Sequence, residues 1–256
     1  MLIELDTLDL GLMLLLIVIA LGLSRWQQLG LEGQIFFSAS RALLQLIAVG
    51  YLLELVFTLE TFWGVFVVLF LMVMVATTVA KNRISQKLSQ LFWIVGGSLL
   101  LTTSLTLGYV MLFIVQPSTW YDPQYWIPLA GIIIGNAVNG GTIAGERLVN
   151  AIETNRGEIE TYLCLGATPK IAIAHFRRQA IRAGILPNLN QMALVGIVVL
   201  PGILTGQLLG GVNPLNAVSY QILVLFVLAL ANLLTASFVT AGIYRQFFTG
   251  EAQLRI

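Results

Sequence analysis

The chain has 256 residues, 58% of them hydrophobic and only 10% charged, with a mean hydropathy of +0.91. A soluble domain is about 45–50% apolar and about 25% charged, so a water-soluble globule is excluded and lipid is the natural solvent. The formal net charge of +1 gives no signal for nucleic acid, and one Cys (Cys164) with one His (His175) excludes a disulfide framework and a Cys/His zinc site.

A spanning helix needs about 20 mostly apolar residues. The apolar runs predict an all-α, polytopic integral membrane protein of about seven transmembrane helices, all within a single domain over 1–256. The first run, 8–26, follows the acidic start Met1-Leu2-Ile3-Glu4-Leu5-Asp6. A secretory signal peptide starts basic, so this run is expected to be a retained span. The second, 34–57, is interrupted by Ser38, Ser40, Arg41 and Gln45. The third, 62–80, and the seventh, 220–244, are the cleanest, and the fourth is 91–115. The fifth, 126–145, carries Asn136, Asn139 and Gly140-Gly141. The sixth, 186–209, carries Asn188, Asn190, Gln191, Pro201 and Gly202. Trp26, Trp63, Trp93, Trp120, Tyr121, Tyr125 and Trp126 mark the expected interfaces.

With these spans, every Lys and Arg except Arg41 falls on one side: Arg25; Lys81, Arg83, Lys87; Arg147, Arg156, Lys170, Arg177, Arg178, Arg182; Arg245 and Arg255. The other side has Glu4, Asp6, Asp9, Glu54, Glu60 and Asp122. The positive-inside bias makes the basic side cytoplasmic, with the N-terminus outside, the C-terminus inside and a multi-pass location in the cell inner (plasma) membrane. The one sizeable segment outside the membrane is then cytoplasmic, at 146–184.

In that segment, apolar residues at 148, 152, 159 and 163 keep helical spacing. Gly166 suits a helix stop, Thr168 an N-cap and Pro169 a first helical position, so a second helix is expected from about Pro169. Lys170, Arg177, Arg178 and Arg182 share a broad face of it. Three readings fit: a helix on anionic lipid, a docking helix for a cytoplasmic partner, or a solvated loop.

The run from Glu160 to Gly166-Ala167-Thr168-Pro169 resembles the EAA-type loop of ABC-transporter permeases. Here Thr-Tyr follows the Glu in place of Ala-Ala, and Leu-Pro comes only at Leu186-Pro187. Three longer stretches are similar to the FetB-type permeases: Ser40-Arg-Ala-Leu-Leu-Gln45-Leu-Ile-Ala-Val-Gly-Tyr51, Ile127-Pro-Leu-Ala-Gly-Ile-Ile-Ile-Gly-Asn136-Ala-Val-Asn139, and Leu200-Pro-Gly-Ile-Leu-Thr205-Gly-Gln207 onward to Asn213-Pro214. That family includes bacterial permeases assigned to iron export and a plant protein tied to aluminium tolerance. The resemblance implies a non-catalytic permease subunit that exports a metal ion or small polar solute. It also implies a cytoplasmic ATPase partner that holds ATP-Mg, and a homodimer of the permease. The coupling residues would be Glu160, Gly166, Ala167, Thr168, Pro169, Lys170, Arg177 and Arg178. None of Lys81, Lys87 and Lys170 sits in a P-loop frame, so this chain is expected to hold no cofactor itself.

Within the spans, Arg41 either snorkels to the interface or latches to a polar partner such as Gln45. Asn136 and Asn139 either pack helices or line a path. Pro201 allows a break that would expose Thr205 and Gln207 beside unpaired backbone groups. Asn190 and Met192 complete the candidate path. Met192 is the main soft ligand available there, so a metal path would rely on oxygen ligands, hydration or a chelate, and no metal ligands are assigned. An ion- or proton-coupled carrier working without an ATPase is the alternative. It would need buried acids, and Glu54 is the nearest.

Overall fold

The computed structural model describes residues 7–59, 61–85, 88, 90–248 and 253–254. Glu4, Asp6, Glu60, Lys87 and Arg255, which entered the charge pattern, lie outside the described residues. The fold is all-α, and the only extended pairings among the described residues are two isolated bridges, Val195 to Val199 and Phe248 to Leu254. The chain divides into two compact units, 1–61 with 209–211, and 62–208 with 212–256.

The first unit is a helical hairpin of α1 (Thr7–Trp26) and α2 (Glu32–Leu59). Helix α1 closes with Gln28 in the left-handed region (φ 53°), the Gln28 amide donating to the Arg25 carbonyl and the Leu29 amide to that of Ser24. This paired pattern satisfies carbonyls that a helix end leaves orphaned. The Ser24 hydroxyl then donates to Glu32 at 3.1 Å, tying the end of α1 to the start of α2.

The second unit is a bundle of α3 (Phe62–Ile84), α4 (Leu91–Tyr109), α5 (Pro123–Thr154), α8 (Ala174–Leu194) and α10 (Pro214–Gln246). The short helices α6 (Arg156–Cys164) and α7 (Pro169–Ala172) lie between α5 and α8, and α9 (Gly202–Leu209) precedes α10. Helix α4 runs on into a π-helical segment, Val110–Val115, closed by Gln116 at φ 45°. Asp122 and Asn213 cap α5 and α10 in the same way: each side chain accepts the amide two residues on, and a Pro follows at the first helical position.

Among the described residues, five helical stretches are long and apolar enough to cross a membrane: Glu32–Thr58, Phe62–Ile84, Leu91–Val115, Pro123–Thr154 and Pro214–Gln246. Gly11–Trp26 is a shorter apolar helix. The sixth predicted span, 186–209, is not one helix. Helix α8 stops at Leu194, and Gly196 adopts φ +81°, which a residue with a Cβ avoids. The Gly196 amide bonds to the Val199 carbonyl, closing a tight non-helical turn before α9. The break expected at Pro201 therefore begins earlier, at Val195. The segment 146–184 is largely helical, as its apolar spacing and the Pro169 start predict. Its first part continues α5, and its last part is the start of α8.

Helix α5 is the hub of this unit, packing on α3, α4, α8 and α10. Small residues make that possible. A Cβ at Gly184 would lie 2.5 Å from the Gly140 carbonyl oxygen, and one at Gly141 would lie 2.7 Å from Thr235 Cγ2. At one end of the bundle, Gly145 faces Ile84 and Ile243, and Gly242 faces Ile94. At the other, Phe62 stacks on Trp120 (4.9 Å) and the Trp126 indole donates to the Trp120 carbonyl. Successive long helices thus run antiparallel, with the basic residues near the Ile84–Gly145–Ile243 end.

Gly184→Ala should lower the thermal stability of the detergent-solubilised protein by about 1–3 kcal/mol, the usual cost of overpacking. Gly135→Ala on α5, where a Cβ meets nothing within 4 Å, should leave the unfolding temperature unchanged or raise it.

Candidate functional site

Two features of the second unit invite a functional reading. The first is the turn between α6 and α7. Gly166 has φ +85°, the Gly166 amide donates to the Leu163 carbonyl, and the Ala167 amide donates to that of Tyr162. This is a Schellman closure with Gly at C′. Thr168 then takes the extended N-cap backbone, although its hydroxyl caps nothing, and Pro169 opens α7. Ile159, Ala172 and Ile173 are buried in the core below and fix both arms of the turn. Above them Tyr162, Leu165 and Ile171 stand out at 45%, 79% and 63% exposure. Two hydrogen-bonded helix ends thus hold a rigid apolar tip, rimmed by exposed Lys170 and Arg178.

Glu160 sits on α6, half exposed, and pairs with Arg156 at 2.7 Å. Arg177, read from spacing as part of the basic face, turns into the bundle instead. Its Nε donates to Thr240 Oγ1 at 3.2 Å, and its terminal nitrogen donates to the Ser237 carbonyl at 3.1 Å. Arg177 therefore pins α8 to α10 directly behind the turn. Its planar fork suits two acceptors one helical turn apart, which a Lys could not match.

The second feature is a polar seam where α4, α5, α8 and α10 meet. The Thr235 hydroxyl donates to Thr102 at 3.1 Å. Asn232 faces Gly140, with its Oδ1 buried and unpaired. Asn188 is 3% exposed and lies on the buried stripe of α8 with Phe176, Ala180 and Gly184, and neither of its amide atoms has a partner. Neither Asn188 nor Asn232 was among the path residues expected from the sequence. The legible signal was the four-residue spacing of Phe176, Ala180, Gly184 and Asn188, which marks one helix face.

The expected path residues of the second unit do not gather on this seam. Asn136 bonds back to the Ile132 carbonyl of its own helix at 3.0 Å, and Asn139 is exposed. Asn190 is exposed near the end of α8, and Met192 is half-buried there. Pro201 lies in the break, where its carbonyl accepts from the Thr205 hydroxyl at 3.1 Å, and Gln207 Oε1 is buried without a partner. Arg41 and Gln45 belong to the first unit, where both are exposed on α2. Among the described residues, no group of three or more His, Cys, Asp or Glu side chains could hold a metal ion.

Residues 7–248 match UPF0014, described as an uncharacterised protein family. The chain belongs to this family. A UPF0014 membrane protein of Synechocystis, slr1647, is 51% identical over 255 residues, covering 100% of this chain and 98% of the relative. The protein ALUMINUM SENSITIVE 3 of Arabidopsis thaliana is 33% identical over 94% of this chain and 87% of its own length. The "Probable iron export permease protein FetB" of Escherichia coli is 32% identical over 96% and 93%. No solved structure matches. As a UPF0014 member with several apolar helices, the chain is a multi-pass membrane protein.

Arg177→Met should cost about 1.5–3 kcal/mol of thermal stability, the worth of hydrogen bonds from a charged group. Arg178→Met, one position along and exposed, should leave the unfolding temperature within error of the wild type.

Proposed function

We propose that the chain is the membrane-spanning permease subunit of an ABC-type exporter in the inner (plasma) membrane, driven by a separate cytoplasmic ATPase that holds ATP-Mg. The observation that carries this reading is the apolar tip of Tyr162, Leu165 and Ile171 on a turn braced by Ile159 and Ile173. Apolar side chains held rigidly outside the lipid-facing spans suit a protein groove: little ordering entropy is lost on docking. The alternative of a helix lying flat on lipid fits less well. Helix α7 is a single turn, and α8 packs along α5 and α10 through Phe176, Ala180 and Gly184. The name of the E. coli relative, an iron export permease, points the same way.

In this reading the basic end of the second unit faces the cytoplasm, as the positive-inside bias requires. ATP-driven movement of the ATPase would push on the turn, and Arg177 would carry the push from α8 into α10. The cargo is a metal ion such as iron or a small polar solute. Two permease copies with two ATPase subunits make the natural assembly.

Leu165→Asp places a charge at the tip without touching the core. It should cut co-purification of the ATPase and its permease-stimulated hydrolysis by at least about tenfold, the scale of losing an interface anchor, with an unchanged unfolding temperature. Full association and stimulation in that variant would refute the coupling role.

A further inference from the structure

Helix α2 carries Gln34, Ser38, Arg41 and Gln45 at intervals of four, three and four residues. At 100° per residue the four fall within about 60° of arc, so they form one polar stripe. All four are exposed, and none makes a hydrogen bond or ion pair among the described residues. Phe36, Phe37, Leu43, Leu44, Leu46 and Ile47 flank them and are exposed too.

The stripe runs deep. Helix α2 has 28 residues, or about 42 Å of rise against a hydrocarbon core of about 30 Å. If the helix is centred, Arg41 lies about 7 Å inside the core and Gln45 close to the midplane. A charge at that depth calls for a partner or a wet cavity. The other membrane-length helices carry their charged residues only near their ends, Lys81 and Arg83 on α3, Glu146 onward on α5 and Arg245 on α10. Glu54, the other charge on the body of α2, is about 20 Å along the helix from Arg41.

We propose that Arg41, with Ser38 and Gln45, is a recognition site for an oxyanion, the carboxylate or phosphate of a soluble anionic solute. The transport half of this statement, that such an anion is the cargo and that a metal travels only as an anionic chelate, rests on the permease reading above; the binding half does not. The guanidinium fork matches a carboxylate or phosphate with two parallel hydrogen bonds. Ser38 and Gln45 lie one turn to either side on the same face, where a hydroxyl and an amide supply further donors. A bare metal cation would meet an uncompensated positive charge at this stripe. A lipid headgroup could reach Gln34 and Ser38, whereas Gln45 lies too deep for it.

The test uses the full chain in phosphatidylcholine nanodiscs. Citrate and inorganic phosphate are titrated at constant ionic strength against wild type, Arg41→Gln, Arg41→Lys and Gln45→Leu. The wild type should show a saturable rise in unfolding temperature with either anion. Arg41→Gln should bind at least about tenfold more weakly, the loss of a charge-assisted bidentate pair, while Arg41→Lys keeps part of the response. If Arg41→Gln does not fold, Arg41→Lys and Gln45→Leu decide, each losing affinity without losing stability in chloride. Equal responses in wild type and variants overturn the proposal. So does a response to ferrous ion with none to the anions, or stabilisation only when phosphatidylglycerol is added to the discs. A retained anion response alongside a failed ATPase association would sink the ABC reading and leave the anion site standing.

Discussion

The approach of Gly140 to Gly184 sets the spacing of the second unit. Any side chain at Gly184 would meet the Gly140 carbonyl, so α8 rests on α5 at backbone contact. With no hydrophobic force between helices in lipid, close packing and hydrogen bonds must hold them. The glycines provide the first, and Thr235 with Thr102 and Arg177 with Thr240 and Ser237 provide the second. The same closeness buries Asn188 and Asn232 beside the contact. Each unpaired buried amide atom costs roughly 1–3 kcal/mol, so the seam between α5, α8 and α10 is held less firmly than its packing alone implies. A tight but internally unsatisfied junction is what a moving transporter segment would need between its turn and its spans.

The turn at Gly166 depends on this frame. Its apolar tip is far from the glycine contact in sequence, yet its arms end in Ile159 and Ile173, which join the core that α5 and α8 build together. On the proposed coupling reading, a push at Leu165 would therefore reach α8 through these buried arms. Arg177, one turn into α8, ties that helix to α10. This division of labour separates two arginines that look alike in the sequence: Arg178 faces out, whereas Arg177 is structural.

Most of the fold was legible because lipid imposes a simple rule. Unbroken apolar runs of spanning length gave α3 and α4 nearly to their ends and α10 apart from its first six residues, and Gly-Ala-Thr-Pro after an amphipathic run gave the turn at Gly166. What hydropathy could not reveal was backbone conformation. The run 186–209 is apolar enough on average to suggest a span, yet Gly196 in a left-handed conformation ends α8 inside it. Spacing alone assigned Arg177 to the basic face, because it cannot tell which edge of that face meets α10. Asn136 and Asn139 drew notice as polar interruptions, but the close contact is made by their neighbours Gly140 and Gly141. The spacing of Asn188 with Phe176, Ala180 and Gly184 marks one face of α8, but that this face is buried depends on how α8 stands against α5.

The central claim is that the tip formed by Tyr162, Leu165 and Ile171 seats in another protein. Site-specific photo-crosslinking tests it most directly: a photoreactive amino acid at Leu165 in the full chain, in its native membrane, with the same probe at exposed Asn139 as the comparison. The account predicts a crosslink from position 165 to a nucleotide-binding subunit, altered by ATP, and none to that subunit from position 139. Crosslinks from position 165 to lipid alone would contradict it.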